Sequence, residues 1–192
     1  MSQEESGRYR AGQTALLTTV AEAEPLVEHW RRRFDASAAA GVPAHVTALF
    51  PFLDINLISA AVIADLATLI AGHDPFAVRF GECGRFPDVL YLAPAPDRPL
   101  RALTESIAAR WPEAPPYGGQ FAGVIPHLTV AHGQPSRVFD EVEEELAHRL
   151  PVTATISSVS LFVSDGRSWR HHTEFPMLGA SGNTPLRQPS SE

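Results

Sequence analysis

Two ten-residue windows of this sequence place a histidine and a threonine two positions apart in the same apolar setting. Residues 41–50 read GVPAHVTALF and residues 123–132 read GVIPHLTVAH. Each window begins with Gly-Val and carries a proline shortly before the histidine. The flanking residues are apolar enough for buried strands, so the windows predict two related strands with a shared task.

On a strand, the two polar side chains of each window point to the same side. Side chains alternate between the faces of a sheet, so His45 shares a face with Thr47, and His127 shares a face with Thr129. Each strand can cover a core with one face and offer an imidazole and a hydroxyl on the other. We therefore expect these four residues to form one site.

Two imidazoles that face each other across a cleft can perform general acid–base catalysis. One removes a proton from an attacking nucleophile and the other protonates the leaving oxygen, near neutral pH because the reference pKa of histidine is about 6.5. Neighbouring hydroxyls can donate hydrogen bonds to the non-bridging oxygens of a phosphoryl group. This chemistry requires no metal ion and no lysine.

A third His-x-Thr match, at His171 and Thr173, lacks the Gly-Val, the proline and the apolar run. We expect it to be structural. A metal site built from His45, His127 and His171 is a further alternative, but it has no close pair of ligands on one element and no evident carboxylate partner. The sequence therefore predicts neither a metal nor another cofactor.

The composition limits the partners and the chemistry. The chain has 192 residues, of which 44% are hydrophobic, enough for one packed domain, and its net charge is −7. That charge argues against an electrostatic grip on DNA or other long nucleic acid, although a few donors can still hold a small or terminal phosphate locally. All fifteen basic residues are arginines, which excludes a P-loop, a Schiff base and a lysine nucleophile.

The location is predicted from cysteine usage and apolar runs. Cys83 is the single cysteine, so no internal disulfide can form, and no signal peptide is evident. The most apolar run, at 55–71, is too short and too polar to span a bilayer. We expect a cytoplasmic protein, not bound to membranes and monomeric.

Apolar periodicity, capping residues and turn residues predict a mixed order of strands and helices. A helix from 54 to 71 is expected to be capped by Asp54, and a hairpin is expected to turn at Asp165 and Gly166. The predicted strands are 13–20, 44–50, 76–86, 89–93, 127–132, 152–163 and 168–175, and the predicted helices are 22–34, 54–71, 97–110 and 136–150.

At the two windows the sequence resembles a known family. HVTALF at His45 and HLTVAH at His127 are similar to the paired motifs of the two-histidine (2H) phosphoesterase superfamily, in particular its bacterial 2′-5′ RNA ligase-like or RNA 2′,3′-cyclic phosphodiesterase branch. The resemblance covers about residues 12–175. It implies an α+β, bilobal fold: two pseudo-symmetric lobes of antiparallel sheet with flanking helices around a central cleft.

The resemblance also implies residue roles and an activity. His45 and His127 would be general acid and base, and Thr47 and Thr129 would bind the phosphate. The implied activity is metal-independent cleavage of a 2′,3′-cyclic phosphate or 2′-5′ phosphodiester of RNA ends or small nucleotides, reversible as ligation. The alternative is a non-catalytic module that binds nucleotides or RNA ends with the same pocket.

One position departs from the family pattern. Many ligase-like relatives carry a basic residue shortly after the second motif, where this chain has His132. In a regular strand His132 would face away from the cleft. This position and the acidic charge of the chain both argue against tRNA-sized substrates and leave smaller cyclic nucleotides open.

Four further residues are candidates for substrate binding. Tyr117, in the loop PPYGG, could stack on a base or ribose, and Phe52 and Tyr91 are aromatic candidates of the same kind. Arg170 could place a cation near the phosphate. The expected organisation is a flexible N terminus (1–11), one bilobal domain (12–177) and a disordered tail (178–192).

Overall fold

The computed structural model describes residues 9–120 and 123–179, which form eight strands, five α-helices and three short 3₁₀ helices. The strands are β1 (Ala11–Thr19), β2 (His45–Leu49), β3 (Phe76–Phe86), β4 (Val89–Ala95), β5 (Leu128–His132), β6 (Val152–Ile156), β7 (Ser158–Asp165) and β8 (Trp169–Pro176). The helices are α1 (Glu24–Phe34), α2 (Ala36–Ala39), α3 (Ala60–Ala71), α4 (Arg98–Arg110) and α5 (Ser136–Ala147).

The strands form two four-stranded antiparallel sheets, one in each lobe. The first sheet has the order β2-β1-β7-β8 and the second has the order β5-β4-β3-β6. Each His-x-Thr strand therefore lies at one edge of its own sheet. The predicted α+β fold with two lobes of antiparallel sheet is confirmed.

The lobes are not the two halves of the chain. The first sheet is built from the N-terminal and C-terminal strands, and the second from the four strands in the middle. The sequence predicts a single strand at 152–163, but the structure divides it between the sheets: β6 pairs with β3, and β7 pairs with β1 and β8. Periodicity could not detect the break, because Ile156 and Val159 on either side of it are both buried.

The helix predicted to begin at Asp54 begins later. The Asp54 carboxylate accepts a hydrogen bond from the Asn56 backbone N–H and caps only a short 3₁₀ turn. Ser59 is extended, with φ −78° and ψ 170°, and its hydroxyl caps α3. Both residue types are good N-caps, so the sequence pattern alone could not choose between them.

The two lobes exchange helices across the cleft. α1 connects β1 to β2 but packs against β5, and α4 connects β4 to β5 but packs against β2. β2 and β5 are also neighbours in space. The main core runs continuously from one sheet to the other, which holds the two His-x-Thr strands next to each other.

A second, smaller apolar cluster covers the cleft face of the first sheet. It contains Leu17, Val42, Phe162 and Trp169, with Phe50 packed against it. Leu17, Val42, Phe50 and Trp169 face the cleft and give this lobe an apolar and aromatic wall, whereas Phe162 lines a neighbouring groove.

The ends of the described chain are tied to the first lobe. β1 begins at Ala11, and Tyr9 packs edge-to-face on Trp169 with ring centroids 5.2 Å apart. The Gly179 N–H donates to the carbonyl of His73. Residues 9–11 and 178–179 of the predicted flexible ends are described, and the rest of those ends, 1–8 and 180–192, lies outside the described residues. None of the helices in the described ranges is long and apolar enough to cross a membrane.

Candidate active site

One cavity of about 200 Å³ lies between the lobes and brings the two His-x-Thr pairs together. The predicted residues His45, Thr47, His127 and Thr129 all line it. Tyr117 lines it as well, and the remaining lining residues are Tyr9, Ala15, Leu17, Asp35, Ser37, Val42, Phe50, His132 and Trp169.

A β-bulge follows the threonine in each of the two strands. In the first lobe, Leu17 pairs with Thr47 while Leu16 pairs with Leu49, so Ala48 is an extra residue. In the second lobe, Tyr91 pairs with Thr129 while Leu90 pairs with Ala131. A bulge inserts one residue and thereby reverses the alternation of side chains beyond it.

The bulges turn two residues into the cavity that regular alternation would turn away. His132 lines the cavity, contrary to the expectation from a regular strand, because the extra residue Val130 shifts it to the cleft face. Phe50 lies at the equivalent position of the first lobe and also lines the cavity. The only hint in the sequence is the pair of consecutive apolar residues after each threonine.

Both catalytic candidates are held by a carbonyl of their own chain, two residues upstream. His45 Nδ1 lies 2.8 Å from the carbonyl oxygen of Pro43, and His127 Nδ1 lies 2.7 Å from that of Ile125. A carbonyl oxygen only accepts hydrogen bonds, so Nδ1 must carry the proton in both rings. Nε2 is then the nitrogen that can exchange a proton with a bound molecule.

The two imidazoles differ in their electrostatic environment. Burial, together with the positive charge of Arg31, lowers the pKa of His45 to about 4, while the Pro43 carbonyl and Asp35 oppose that shift. His127 contributes a further small repulsion to His45. Burial also lowers the pKa of His127, without a charged group among its causes. Both rings are therefore mainly neutral at neutral pH.

A buried ion pair supports the wall of the cavity beside His45. Arg31 is 1% exposed, and its Nη2 lies 2.9 Å from Asp35 Oδ2. The Ser37 hydroxyl donates to both carboxylate oxygens, at 2.9 and 2.8 Å. Every Asp35 oxygen thus has partners, which explains how a carboxylate and a guanidinium can be buried next to a ligand cavity.

His127 is supported by two aromatic rings of the second lobe. Phe86 and Tyr91 stack on each other with centroids 4.4 Å apart, and both meet the His127 ring edge-to-face, at 5.2 and 5.5 Å. Tyr91, predicted to bind substrate, thus contacts His127 but does not line the cavity. Gly84 makes room for this arrangement, because a Cβ at that position would overlap the Tyr91 ring.

Tyr117 reaches the first lobe from a loop after α4. Its backbone N–H donates to the carbonyl of Phe50 at 2.6 Å, and its hydroxyl is hydrogen-bonded to the Thr47 side chain. Its φ of +52° is the one positive value of a non-glycine residue in the described ranges. Such a conformation costs on the order of 1–3 kcal/mol and persists where the surroundings enforce it, often at functional sites.

The other candidates lie away from the cavity. Phe52 is 6% exposed in the core and packs edge-to-face on Trp111 at 5.3 Å, so its ring is not available to a ligand. Arg170 is 79% exposed, pairs with Asp165 and does not line the cavity. His171 lines a neighbouring groove, not the cavity of His45 and His127. Between 9 and 120, and between 123 and 179, no cluster of three or more histidine, cysteine, aspartate or glutamate residues is arranged to hold a metal ion.

The fold and the cavity define a class: two-lobed α+β proteins of the 2H phosphoesterase type, in which each lobe contributes a histidine strand to one cleft. The sequence profile of the 2′-5′ RNA ligase superfamily matches residues 19–168. The chain belongs to this superfamily.

Solved structures of low sequence identity share the fold. Escherichia coli LigT complexed with 3′-AMP is 17% identical, with a TM-score of 0.57, and the match covers 88% of this chain and 99% of LigT. The protein TT0787 of Thermus thermophilus is 18% identical, with a TM-score of 0.56 and the same coverage. LigT has also been crystallised with ATP and with NADP+. No curated protein sequence matches the chain.

Gly84→Ala tests the aromatic support of His127. The new methyl group must displace the Tyr91 ring, so we expect the free energy of unfolding to fall by about 1–3 kcal/mol and the His127 ring protons to lose the ring-current shift of Tyr91. Urea denaturation and proton NMR measure the two effects. Gly81→Ala is the control on the same strand, because its methyl group meets only the flexible end of Arg79. Equal spectra for both variants would contradict the proposed contact.

The lowered pKa of His45 makes stability depend on pH. The unfolded chain takes up this proton near pH 6.5, whereas the folded protein does so only near pH 4. The stabilisation is thus present above pH 6.5 and is lost as the pH falls toward 4. We expect the unfolding free energy to fall over this range by about 1–3 kcal/mol more in the wild type than in His45→Gln, as measured by urea denaturation. Parallel losses in the two proteins would show that His45 does not titrate in this way.

Proposed function

We propose that this protein is a metal-independent phosphoesterase that opens 2′,3′-cyclic phosphates or cleaves 2′-5′ phosphodiesters of small nucleotides or RNA ends. In this proposal His45 and His127 are the general acid and base, and Thr47 and Thr129 bind the phosphate. The observation that carries it is the convergence of the four side chains on one cavity, with the Nδ1 of both imidazoles bonded to carbonyls.

The reaction follows from the free Nε2 position of each ring. One imidazole accepts a proton from water as the water oxygen bonds to phosphorus, and the other donates a proton to the ribose oxygen as its bond to phosphorus breaks. The threonine hydroxyls donate to the non-bridging oxygens, where the negative charge resides. When the 5′-hydroxyl of a second ribose replaces water as the nucleophile on a 2′,3′-cyclic phosphate, its oxygen bonds to phosphorus as the bond to the 3′ oxygen breaks and that oxygen is protonated. The product is a 2′-5′ linkage, formed without ATP.

The lowered pKa values of the two imidazoles are compatible with this chemistry. One histidine must be protonated before it can act as the acid, although both pKa values are lowered. A phosphodiester carries a negative charge, and such a charge in the cavity raises the pKa of both imidazoles. The bound substrate itself thus favours the protonated form that the reaction needs.

The remaining walls suit a nucleoside. Tyr9 and Phe50, which both pack edge-to-face on the buried Trp169, give the first lobe an aromatic surface on which a base can stack. The three ligands crystallised with LigT, 3′-AMP, ATP and NADP+, are all adenosine phosphates, which supports a nucleotide ligand here. The net charge of −7 favours a small substrate over a long RNA. We further propose that the protein acts as a cytoplasmic monomer.

Replacement of either histidine tests the proposal. Because base and acid act in the same transition state, His45→Ala and His127→Ala should each lower kcat on a 2′,3′-cyclic nucleotide by about 10²–10⁴-fold, and the double variant should be little worse than the weaker single one. Thr47→Val and Thr129→Val should cost about 10–10³-fold. The wild-type rate should follow a bell-shaped pH profile whose limbs belong to the coupled pair.

The controls separate this function from its alternatives. His171→Ala should retain wild-type kcat, because this residue lies outside the cavity. The assay contains EDTA, so a loss of activity that zinc or manganese restores would favour metal catalysis. Tight binding of cyclic nucleotides or 2′-5′ dinucleotides without any turnover would favour the non-catalytic module.

Tyr117→Phe tests whether the Tyr117 hydroxyl orients Thr47. The variant keeps the ring and the backbone but loses the hydrogen bond, so we expect kcat to fall by about 2–10-fold with little change in KM. A double-mutant cycle provides the control: in the Thr47→Val background the same change should have no further effect, because the bond is already absent. Equal effects in the two backgrounds would mean that Tyr117 acts on the ligand directly.

A further inference from the structure

Each His-x-Thr strand is preceded by a valine whose carbonyl is bound by an arginine of the preceding long helix. Arg31 Nη1 donates to the carbonyl oxygen of Val42 at 3.3 Å, and Arg101 Nη1 donates to that of Val124 at 2.6 Å. Both valines stand three residues before the histidine and follow the glycine that opens each window. The same bond thus recurs in both lobes, although the connecting loops differ in length.

A carboxylate holds each arginine in place. Arg31 donates from Nε and Nη2 to Asp35 Oδ2, at 3.2 and 2.9 Å, and Arg101 donates from Nε to Asp97 Oδ2 at 2.6 Å. The aspartate lies four residues after Arg31 but four residues before Arg101. Because the guanidinium is a rigid plane, fixing one edge on a carboxylate fixes the direction of the N–H groups that reach the valine carbonyl.

The valine carbonyl is next in the backbone to the carbonyl that holds the imidazole. The acceptors of the histidine Nδ1 protons are Pro43, which follows Val42, and Ile125, which follows Val124. The two carbonyls belong to consecutive residues. Only the φ and ψ angles of the second residue, Pro43 or Ile125, therefore set the orientation of one carbonyl relative to the other. In the first lobe the ring of Pro43 fixes the φ angle of that residue. In the second lobe the ring of Pro126, which connects Ile125 to His127, fixes the φ angle of Pro126. These restraints leave the carbonyl little freedom to rotate.

We propose that Arg31 and Arg101 are a matched pair of positioning residues that fix the ring orientation and tautomer of His45 and His127 through the backbone. This role rests on the proposed function of the two histidines. Neither arginine lines the cavity, so neither is expected to touch the substrate. Loss of the valine–arginine bond lets the acceptor carbonyl rotate, and the imidazole then loses the alignment that proton transfer requires.

The two arginines differ in how safely they can be replaced. Arg31 is buried, and its removal would leave Asp35 as an unpaired buried charge, which destabilises proteins strongly. Its positive charge also lowers the pKa of His45, as His127 does, whereas Asp35 raises it. Arg101 and Asp97 are each 40% exposed. Arg101 is therefore the residue on which positioning can be separated from folding.

The test compares Arg101→Met, Arg101→Lys and Arg98→Met. We expect Arg101→Met to lower kcat on a 2′,3′-cyclic nucleotide by about 10–100-fold, while KM changes by less than about threefold. Arg101→Lys should recover part of the loss, because an ammonium group can still donate to the Val124 carbonyl. Arg98→Met removes a charge from the same helix three residues earlier and should behave as the wild type.

Nitrogen NMR of the imidazoles supplies a readout that does not depend on turnover. Wild-type His127 should show one neutral tautomer with the proton on Nδ1, and Arg101→Met should show a mixture at His127 while His45 is unchanged. Wild-type kcat in Arg101→Met with an unchanged tautomer would overturn the proposal, and so would an equal loss of activity in Arg98→Met. If the wild type hydrolyses no cyclic phosphate, the proposed function fails and the tautomer alone decides the role of Arg101.

Discussion

The candidate active site depends on the hydrogen bond between the Nδ1 proton of each imidazole and a carbonyl two residues upstream. This bond selects the tautomer, sets the plane of the ring and leaves Nε2 toward the cavity. It is also strictly local, since donor and acceptor lie in the same short segment. The rest of the structure therefore has two tasks: to hold each segment in one conformation, and to bring the two segments face to face.

The second task is met because the His-x-Thr strand of each lobe packs against a helix from the other lobe. Because α1 packs on β5 and α4 packs on β2, each His-x-Thr strand is held by a helix that belongs to the other half of the pseudo-symmetric pair. The continuous core then makes separation of the lobes costly, since it would expose apolar surface on both sides. Tyr117 adds a polar link from the α4 side, through Phe50 and Thr47.

Within this symmetry, the two sides of the cavity have become different. The bulge after each threonine turns one residue inward, and that residue is aromatic in the first lobe, Phe50, and ionisable in the second, His132. The ion pair of Arg31 and Asp35 is buried beside His45, whereas the corresponding pair in the second lobe is half exposed. A symmetric framework thus presents an asymmetric cavity, which suits the proposed ligand, a nucleotide with a base at one end and a phosphate at the other.

The sequence by itself determined the local features of this protein. The repeated His-x-Thr windows, their place on strands, the α+β class and the family all follow from residue types and period-two alternation, which depend on near neighbours. Only the tertiary structure decided the features that depend on pairing between distant segments. Alternation predicts that His132 points away, but the bulge set by pairing with β4 turns it inward; residues 152–163 read as one strand, but pairing with two different sheets divides them. Phe52 and Arg170 have suitable side chains, and their distance from the cavity is set by packing. The bonds from Arg31 and Arg101 join residues 11 and 23 positions apart, and no periodicity in the sequence marks a contact that forms only once the helix and the strand are in place.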